Sequence, residues 1–207
     1  MSLSRRLVLA QLGAGAIAAG ATAQTPLALT PEQTEGPFYP DDPPRERDAD
    51  LTRLAGKSQR AAGQIIEVRV RVLDRRGQPL RGARLELWQA NAVGRYDHPG
   101  DNNAAPLDPN FQGYARLATG ADGLVRITTV KPGAYPAQRR MRTPHLHWLV
   151  AANGNELTTQ MYFPDEALNA DDRVLDDVAD PRLVTARPGI ADEAGALGYD
   201  WDVVLNA

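Results

Sequence analysis

The stretch RTPHLHWLV, Arg142 to Val150, sets two of the chain's three histidines two residues apart. In a β-strand alternate side chains share a face, so His145 and His147 project side by side while Leu146 and Trp148 point the other way. That spacing suits chelation of one metal ion, and it suits equally a polar pair on a solvated strand face. Two further stretches, ELWQANAVGRYDH (Glu86 to His98) and KPGAYP (Lys131 to Pro136), offer Tyr96 and Tyr135 as candidate ligands. A free phenol ionises at about pH 10, so holding one as phenolate at pH 7 takes about 4 kcal/mol, which a bound trivalent cation can supply. Two phenolates and two imidazoles make a hard, anionic set of oxygen and nitrogen donors that favours Fe(III) over Zn(II) or Cu(I). His98, in the loop YDHPGDN, reads as a solvated loop histidine.

The elements that would position these residues are strands. IIEVRVRVLD alternates apolar and polar residues as a half-buried strand does, and RRGQPLRGARLELWQA follows it with turn residues and a second alternating run. GYARLATG, GLVRITTV, HLHWLVAA and LTTQMYF are further strands fenced by Gly, Pro, Asn or Asp, and GYDWDVVL closes as a last one. Strands of this length with no long amphipathic helix between them predict an all-β antiparallel β-sandwich with long loops. ADDRVLDDVADPRL forms one short helix or turn. From Thr25 to about Arg60 the chain is rich in Pro, Asp and Arg with no helical or alternating period, which predicts an extended N-terminal arm anchored by Phe38 and Tyr39. The division expected is a leader over residues 1–23, the arm over 24–60 and the sandwich domain over 61–207.

The leader reads as an export signal. Arg5 and Arg6 precede a short, weakly apolar run rich in Ala and Gly that ends in Ala21-Thr22-Ala23, which fits a cleaved twin-arginine signal and is too broken for a membrane span. The expected location is periplasmic or extracellular. Cleavage would move the formal net charge from −3 to −5, since the segment carries two arginines and no acid. A mildly acidic chain with scattered Lys and Arg has no electrostatic footprint for nucleic acid or an anionic membrane, so small molecules are the expected partners. The chain contains no cysteine, which excludes disulfides, thiolate metal sites, iron–sulfur clusters and cysteine nucleophiles.

Four linked motifs carry a resemblance. W-Q-A-N-x-x-G-x-Y (Trp88 to Tyr96), P-G-x-Y-P, R-x-P-H-x-H and T-Q-x-Y-F, in that order, resemble the intradiol ring-cleavage dioxygenases, the superfamily of protocatechuate 3,4-dioxygenase and catechol 1,2-dioxygenase. The likeness runs from about Thr34 to Phe163 and more weakly to the closing strand. It implies a β-sandwich holding one mononuclear, non-heme Fe(III) per chain through Tyr96 and His145 as equatorial ligands and Tyr135 and His147 as axial ones, with a hydroxide completing the shell. It also implies the reaction: a catechol binds through both oxygens, displacing the hydroxide and Tyr135, and O2 cleaves the ring between the hydroxyls to a cis,cis-muconate. Arg142 falls where the family keeps an arginine beside the substrate ring, where its fixed charge would stabilise the carbanion-like character of the bound catechol. Gln160 falls where the family places a polar residue near the metal pocket, Trp88 matches the motif tryptophan and would wall the site, and Tyr39 is expected to contact substrate or shield the pocket.

The chain also departs from the pattern. Ala137 and Gln138 follow the second motif where protocatechuate dioxygenases usually carry tryptophan and arginine, which predicts a roomier pocket and leaves specificity for protocatechuate open. The long helical N-terminal region of catechol 1,2-dioxygenases is absent ahead of the core. With all four ligands in one chain, the protein is expected to act alone or as a homo-oligomer. Two rivals remain beside this reading. GQPLRGARLELW would serve equally in a catalytically inactive, transthyretin-like binding module, and a cupin would need a further histidine, whereas none follows His147.

Overall fold

The structure, a computed structural model, describes residues 25–137 and 140–207; the segment read as an export leader and Gln138 lie outside them. Ten strands are described: β1 Ile65–Asp74, β2 Arg84–Trp88, β3 Tyr114–Ala118, β4 Leu124–Val130, β5 Tyr135–Ala137, β6 Arg140–Arg142, β7 His145–Ala152, β8 Asn155–Tyr162, β9 Arg187–Gly189 and β10 Leu197–Leu205. Two four-stranded sheets, ordered β4-β1-β10-β9 and β3-β2-β7-β8, face each other, and β5 and β6 form a separate ribbon. The alternation of β1 buries Ile66, Val68, Val70 and Val72 on one face. These meet Leu85, Leu87, Leu146, Trp148 and Val150 of the opposite sheet, and Trp148 packs on Trp201 of β10 with ring centroids 6.0 Å apart. The sandwich expected from the strand pattern is therefore present.

One pairing departs from an antiparallel scheme. β10 lies parallel to β1, with Val68 opposite Tyr199 and Val70 opposite Trp201. A hairpin cannot make a parallel pair, and the crossover it needs is available because β10 arrives after all the intervening strands. The segment ADDRVLDDVADPRL holds an α-helical turn, Arg173–Asp176, capped by Asp172, whose side chain accepts from the Val174 and Leu175 N–H groups, and a second turn of 3-10 type, Pro181–Leu183, where the sequence suggests one.

The second sheet is buried on both sides, and this prepares the site. β2 has four consecutive buried residues, Leu85 to Trp88, where a half-exposed strand would alternate. Its outer face carries Glu86, Trp88, Tyr114, His145, His147, Gln160 and Tyr162, since Trp88 stands opposite His147 and Tyr114, and His147 opposite Gln160. The arm covers that face. Gln33 N–H donates to the Thr158 carbonyl (2.9 Å), Thr159 Oγ1 donates to the Pro31 carbonyl (2.8 Å), and the Phe38 ring lies 4.6 Å from that of Tyr96. Trp88, Ala90, Tyr96, Tyr114 and Tyr135, with Phe38 and Tyr39 against them, form a second apolar cluster outside the sandwich.

Candidate metal centre

His145 and His147 enter this covered face from the first and third positions of β7, which the strand period turns the same way. Their Nε2 atoms stand 3.1 Å apart with the rings inclined at 71°. His145 Nδ1 lies 2.6 Å from the Thr143 carbonyl, so it donates there and leaves a lone pair on Nε2. Tyr135, at the start of β5, brings its Oη to 3.3 Å from His145 Nε2. Tyr96 comes from the long loop between β2 and β3; its ring stands edge-on to Tyr135 at 5.2 Å, and its buried Oη has no hydrogen-bond partner. The four side chains are each at most 5 % exposed.

Glycines let the two tyrosine loops meet. Gly94 has φ +79°, and a Cβ there would fall 2.3 Å from the Ala134 carbonyl oxygen, immediately before Tyr135. Gly133 N–H and Gly94 N–H both donate to the Asn91 carbonyl (3.0 Å each), and a Cβ on Gly133 would lie 2.6 Å from Gly94 N. The glycines of the WQANxxGxY and PGxY motifs thus serve close backbone approach. Asp101 fixes the rest of the loop, accepting from the N–H groups of Tyr96 and Asn103 (2.8 Å each).

Electrostatically the site refuses charge without a cation. Burial, with the Arg142 guanidinium beside it, lowers His145 to about 3. Burial, His145 and Arg142 push His147 well below the usual imidazole range. Burial and the neighbouring Tyr135 raise Tyr96 well above the usual phenol range, and burial raises Tyr135 against the opposing pull of Arg142. Two neutral imidazoles with available lone pairs and two phenols that ionise only beside a strong cation match a metal site. The spacing agrees: two donors at right angles on one ion, with bonds of about 2.0–2.1 Å, stand about 3 Å apart. Among the described residues no group of three or more His, Cys, Asp or Glu gathers into a cation site, because half of this donor set is phenolic.

Arg142 and Gln160 meet as a pair. Arg142 Nη2 donates to Gln160 Oε1 (2.7 Å) and approaches the Tyr162 hydroxyl (3.4 Å), while its Nε donates to Asp172 Oδ2 (2.8 Å). Gln160 Nε2 in turn donates to the Thr34 carbonyl of the arm (2.9 Å). Trp88 stacks on His147 at 5.0 Å and 12°, walling the imidazole from behind. Tyr39 packs edge-on against Trp88 (5.0 Å) and donates its hydroxyl to Glu86 Oε2 (2.6 Å), so its polar end faces the sheet. His98 accepts from Gly100 N–H (3.0 Å) and packs against Phe38, outside the four-donor group. A cleft of about 880 Å³, walled by Phe38, Tyr135, Ala137 and Arg142 among others, opens over the centre.

Two residues that the sequence did not single out hold this arrangement together. Asp172 is fully buried and joins the helical turn to Arg142 and to the Thr143 N–H (2.9 Å). Its only sequence signal is that of a helix cap before RVLD. Glu86, 2 % exposed, accepts from Tyr39, from Tyr114 (2.8 Å) and from Arg84 (2.5 Å). In the sequence it is one polar residue of an alternating strand.

Comparison with known proteins agrees with this architecture. A family model described as Dioxygenase matches residues 34–207. The beta chain of protocatechuate 3,4-dioxygenase from Burkholderia cepacia is 43 % identical over 168 residues, covering 77 % of this chain and 72 % of that protein. Hydroxyquinol 1,2-dioxygenase from Rhizobium sp. (strain MTP-10005) is 31 % identical over 68 % of this chain, which spans 50 % of that relative's length. Among solved structures, the dioxygenase domain of a dioxygenase carbohydrate-binding protein fusion from the cellulolytic bacterium Streptomyces sp. SirexAA-E superposes with a TM-score of 0.67 at 30 % identity, covering 86 % of this chain and 99 % of that one. The ordered motifs, the sandwich that seats them and the match over residues 34–207 together show that the chain belongs to the intradiol ring-cleavage dioxygenases.

Proposed function

We propose that the protein holds one Fe(III) per chain through Tyr96, Tyr135, His145 and His147 and cleaves catechol-type substrates between their hydroxyls with O2, giving cis,cis-muconate-type products. The observation that carries this is the pair of Nε2 atoms 3.1 Å apart, with one phenol oxygen 3.3 Å from His145 Nε2 and a second buried and unpartnered. Ferric ion bound there would supply the Lewis acidity that ligates both catechol oxygens and makes the ring reactive toward O2. The chain's own residues do the rest. Thr143 fixes the tautomer of His145, Trp88 and the arm exclude water from His147, and Asp172 with Gln160 aims a permanent positive charge from Arg142 at the ring-binding side of Tyr135. The residues 1–23 are read as an export address, so the reaction belongs outside the cytoplasm, in a monomer or homo-oligomer.

The rival reading, an inactive binding module, is disfavoured by the same atoms. The buried Tyr96 Oη costs about 1–3 kcal/mol when left unpaired, which a module without metal has no reason to retain. The test is the visible spectrum and iron content of the protein loaded with ferric ion, before and after anaerobic addition of catechol, followed by O2. A broad phenolate-to-metal charge-transfer band that shifts with catechol, then ring-cleaved product, is expected. A protein that stays colourless after ferric loading and consumes no O2 would overturn the reading.

A further inference from the structure

The cleft above the centre is larger than a bare catechol requires, and its outer wall is positively charged. A volume of about 880 Å³ lies in the range of sites that hold drug-sized ligands, whereas catechol is a single ring with two hydroxyls. Three arginines line it, and they are not equivalent. Arg142 is half-buried and committed to Asp172, Gln160 and Tyr162. Arg140 and Arg173 are exposed, and among the described residues neither has a carboxylate partner. Among the described residues lining the cleft the one acid is Asp101, whose carboxylate is engaged by the Tyr96 and Asn103 N–H groups.

The two exposed guanidinium groups come from different elements to one rim. Arg173 opens the helical turn that Asp172 pins to Arg142, so the anchor that fixes the inner arginine also fixes the base of the outer one. Arg140 precedes Arg142 by two residues in β6, and the strand period sets it on the same side, about 7 Å further along the strand. Ala137 stands opposite Arg140 on the same face of the ribbon as Tyr135 and Arg142, so the surface between Tyr135 and the rim is small and apolar there, and the Phe38 ring adds apolar lining to the cleft. A ring bound at the centre would therefore keep a substituent against apolar surface for several ångströms before meeting unpaired positive charge.

We propose that this cleft selects catechols carrying an anionic group at the end of a side chain, in preference to catechols with no charge or with the carboxylate directly on the ring. The inference rests on the catechol-cleaving reading above and goes beyond it in naming the substrate class and the residues that select it. Arg140 and Arg173 supply the charge, and the apolar wall supplies the length discrimination.

The experiment compares kcat/KM of the iron-loaded protein for 3-(3,4-dihydroxyphenyl)propenoate, its methyl ester, 3,4-dihydroxybenzoate and catechol. The free propenoate is expected to exceed its ester by about tenfold at low salt, with the ratio shrinking as salt screens the exposed arginines. In the double variant Arg140→Gln, Arg173→Gln the acid-to-ester ratio is expected to fall toward one. Equal rates for acid and ester in the native protein, a ratio that survives in the double variant, or a preference for 3,4-dihydroxybenzoate over the propenoate would each overturn the proposal. Calorimetric titration with the non-cleavable 3-(4-hydroxyphenyl)propenoate and its methyl ester separates the two readings. If no catechol is consumed, the dioxygenase reading fails, and a salt-sensitive preference for the monophenolic acid, lost in the double variant, still supports the anionic cleft, whereas no preference overturns it.

Discussion

Asp172 and Arg142 form a buried ion pair at 2.8 Å, and the same carboxylate oxygen also accepts the Thr143 N–H (2.9 Å). Thr143 then offers its carbonyl to His145 Nδ1, so one carboxylate orients both the Arg142 guanidinium and an imidazole of the candidate metal centre. Asp172→Asn keeps the shape but turns an amide toward two donors. Breaking a buried pair by removing one partner costs about 3–5 kcal/mol. We expect a stability loss of that size by urea denaturation, and a fall in kcat for catechol that exceeds the rise in KM. Unchanged stability would show that the pair is not formed in solution.

The four donors give a second prediction, independent of turnover. A ligand that binds only the folded state stabilises it by about 4 kcal/mol at a thousand times its dissociation constant. Saturating ferric ion should therefore raise the thermal midpoint of the wild-type protein, and His147→Ala should abolish the increment. Phenylalanine at Tyr96 should do the same while leaving the metal-free protein at least as stable, because it removes an unpartnered buried hydroxyl. A metal-free Tyr96→Phe protein much less stable than wild type would mean that the hydroxyl has a partner other than the metal.

Much of this site was legible in the sequence because its chemistry sits on regular strands or in ordered motifs. The period of β7 placed His145 and His147 together, and β1 announced its buried face through Ile66, Val68, Val70 and Val72. What was not legible comes from contacts distant in sequence. Glu86 looked like an outward-facing polar residue, since nothing in RLELW tells that Tyr39, 47 residues earlier, lies over it. β9, Arg187–Gly189, is not among the strands expected from the sequence, since its proline and glycine carry no strand pattern; it survives as an edge strand because an edge tolerates a missing donor. The parallel pairing of β10 with β1 leaves no local pattern at all, because the same alternation serves either direction.

Glu86 makes a pH-dependent prediction. Burial acts to raise its carboxyl, but the Tyr39 and Tyr114 hydroxyls, with Arg84 and Arg116, overcome burial and hold it below the usual carboxylate range. A carboxyl depressed in the folded state contributes stability above its unfolded value, and the contribution is lost as pH falls through the folded value. Glu86→Gln should therefore be less stable than wild type by about 1–3 kcal/mol at pH 7, and the two curves should converge in acid, below about pH 4. Tyr39→Phe should show a smaller loss, and the double variant less than the sum of both. Additive losses would mean that the arm is not tied down through this pair.

The contact between the two tyrosine loops gives the sharpest steric test. Gly94 and Gly56 both hold positive φ, +79° and +77°, so alanine at either carries the backbone strain of a left-handed residue, about 1–2 kcal/mol. They differ in surroundings: a Cβ at Gly56 meets nothing within 4 Å, whereas at Gly94 it meets the Ala134 carbonyl at 2.3 Å. That carbonyl belongs to the residue before Tyr135, and Gly94 stands two residues before Tyr96, so relief of the clash parts the two loops that carry the phenols. Gly56→Ala should lose about 1 kcal/mol of stability and bind ferric ion as wild type does. Gly94→Ala should lose more and bind ferric ion at least tenfold more weakly, a loss of about 1.4 kcal/mol, since donor placement within about 0.5 Å governs such sites. Equal ferric affinity in the two variants would show that the loops can part without moving the phenols, and that the glycine serves the turn alone.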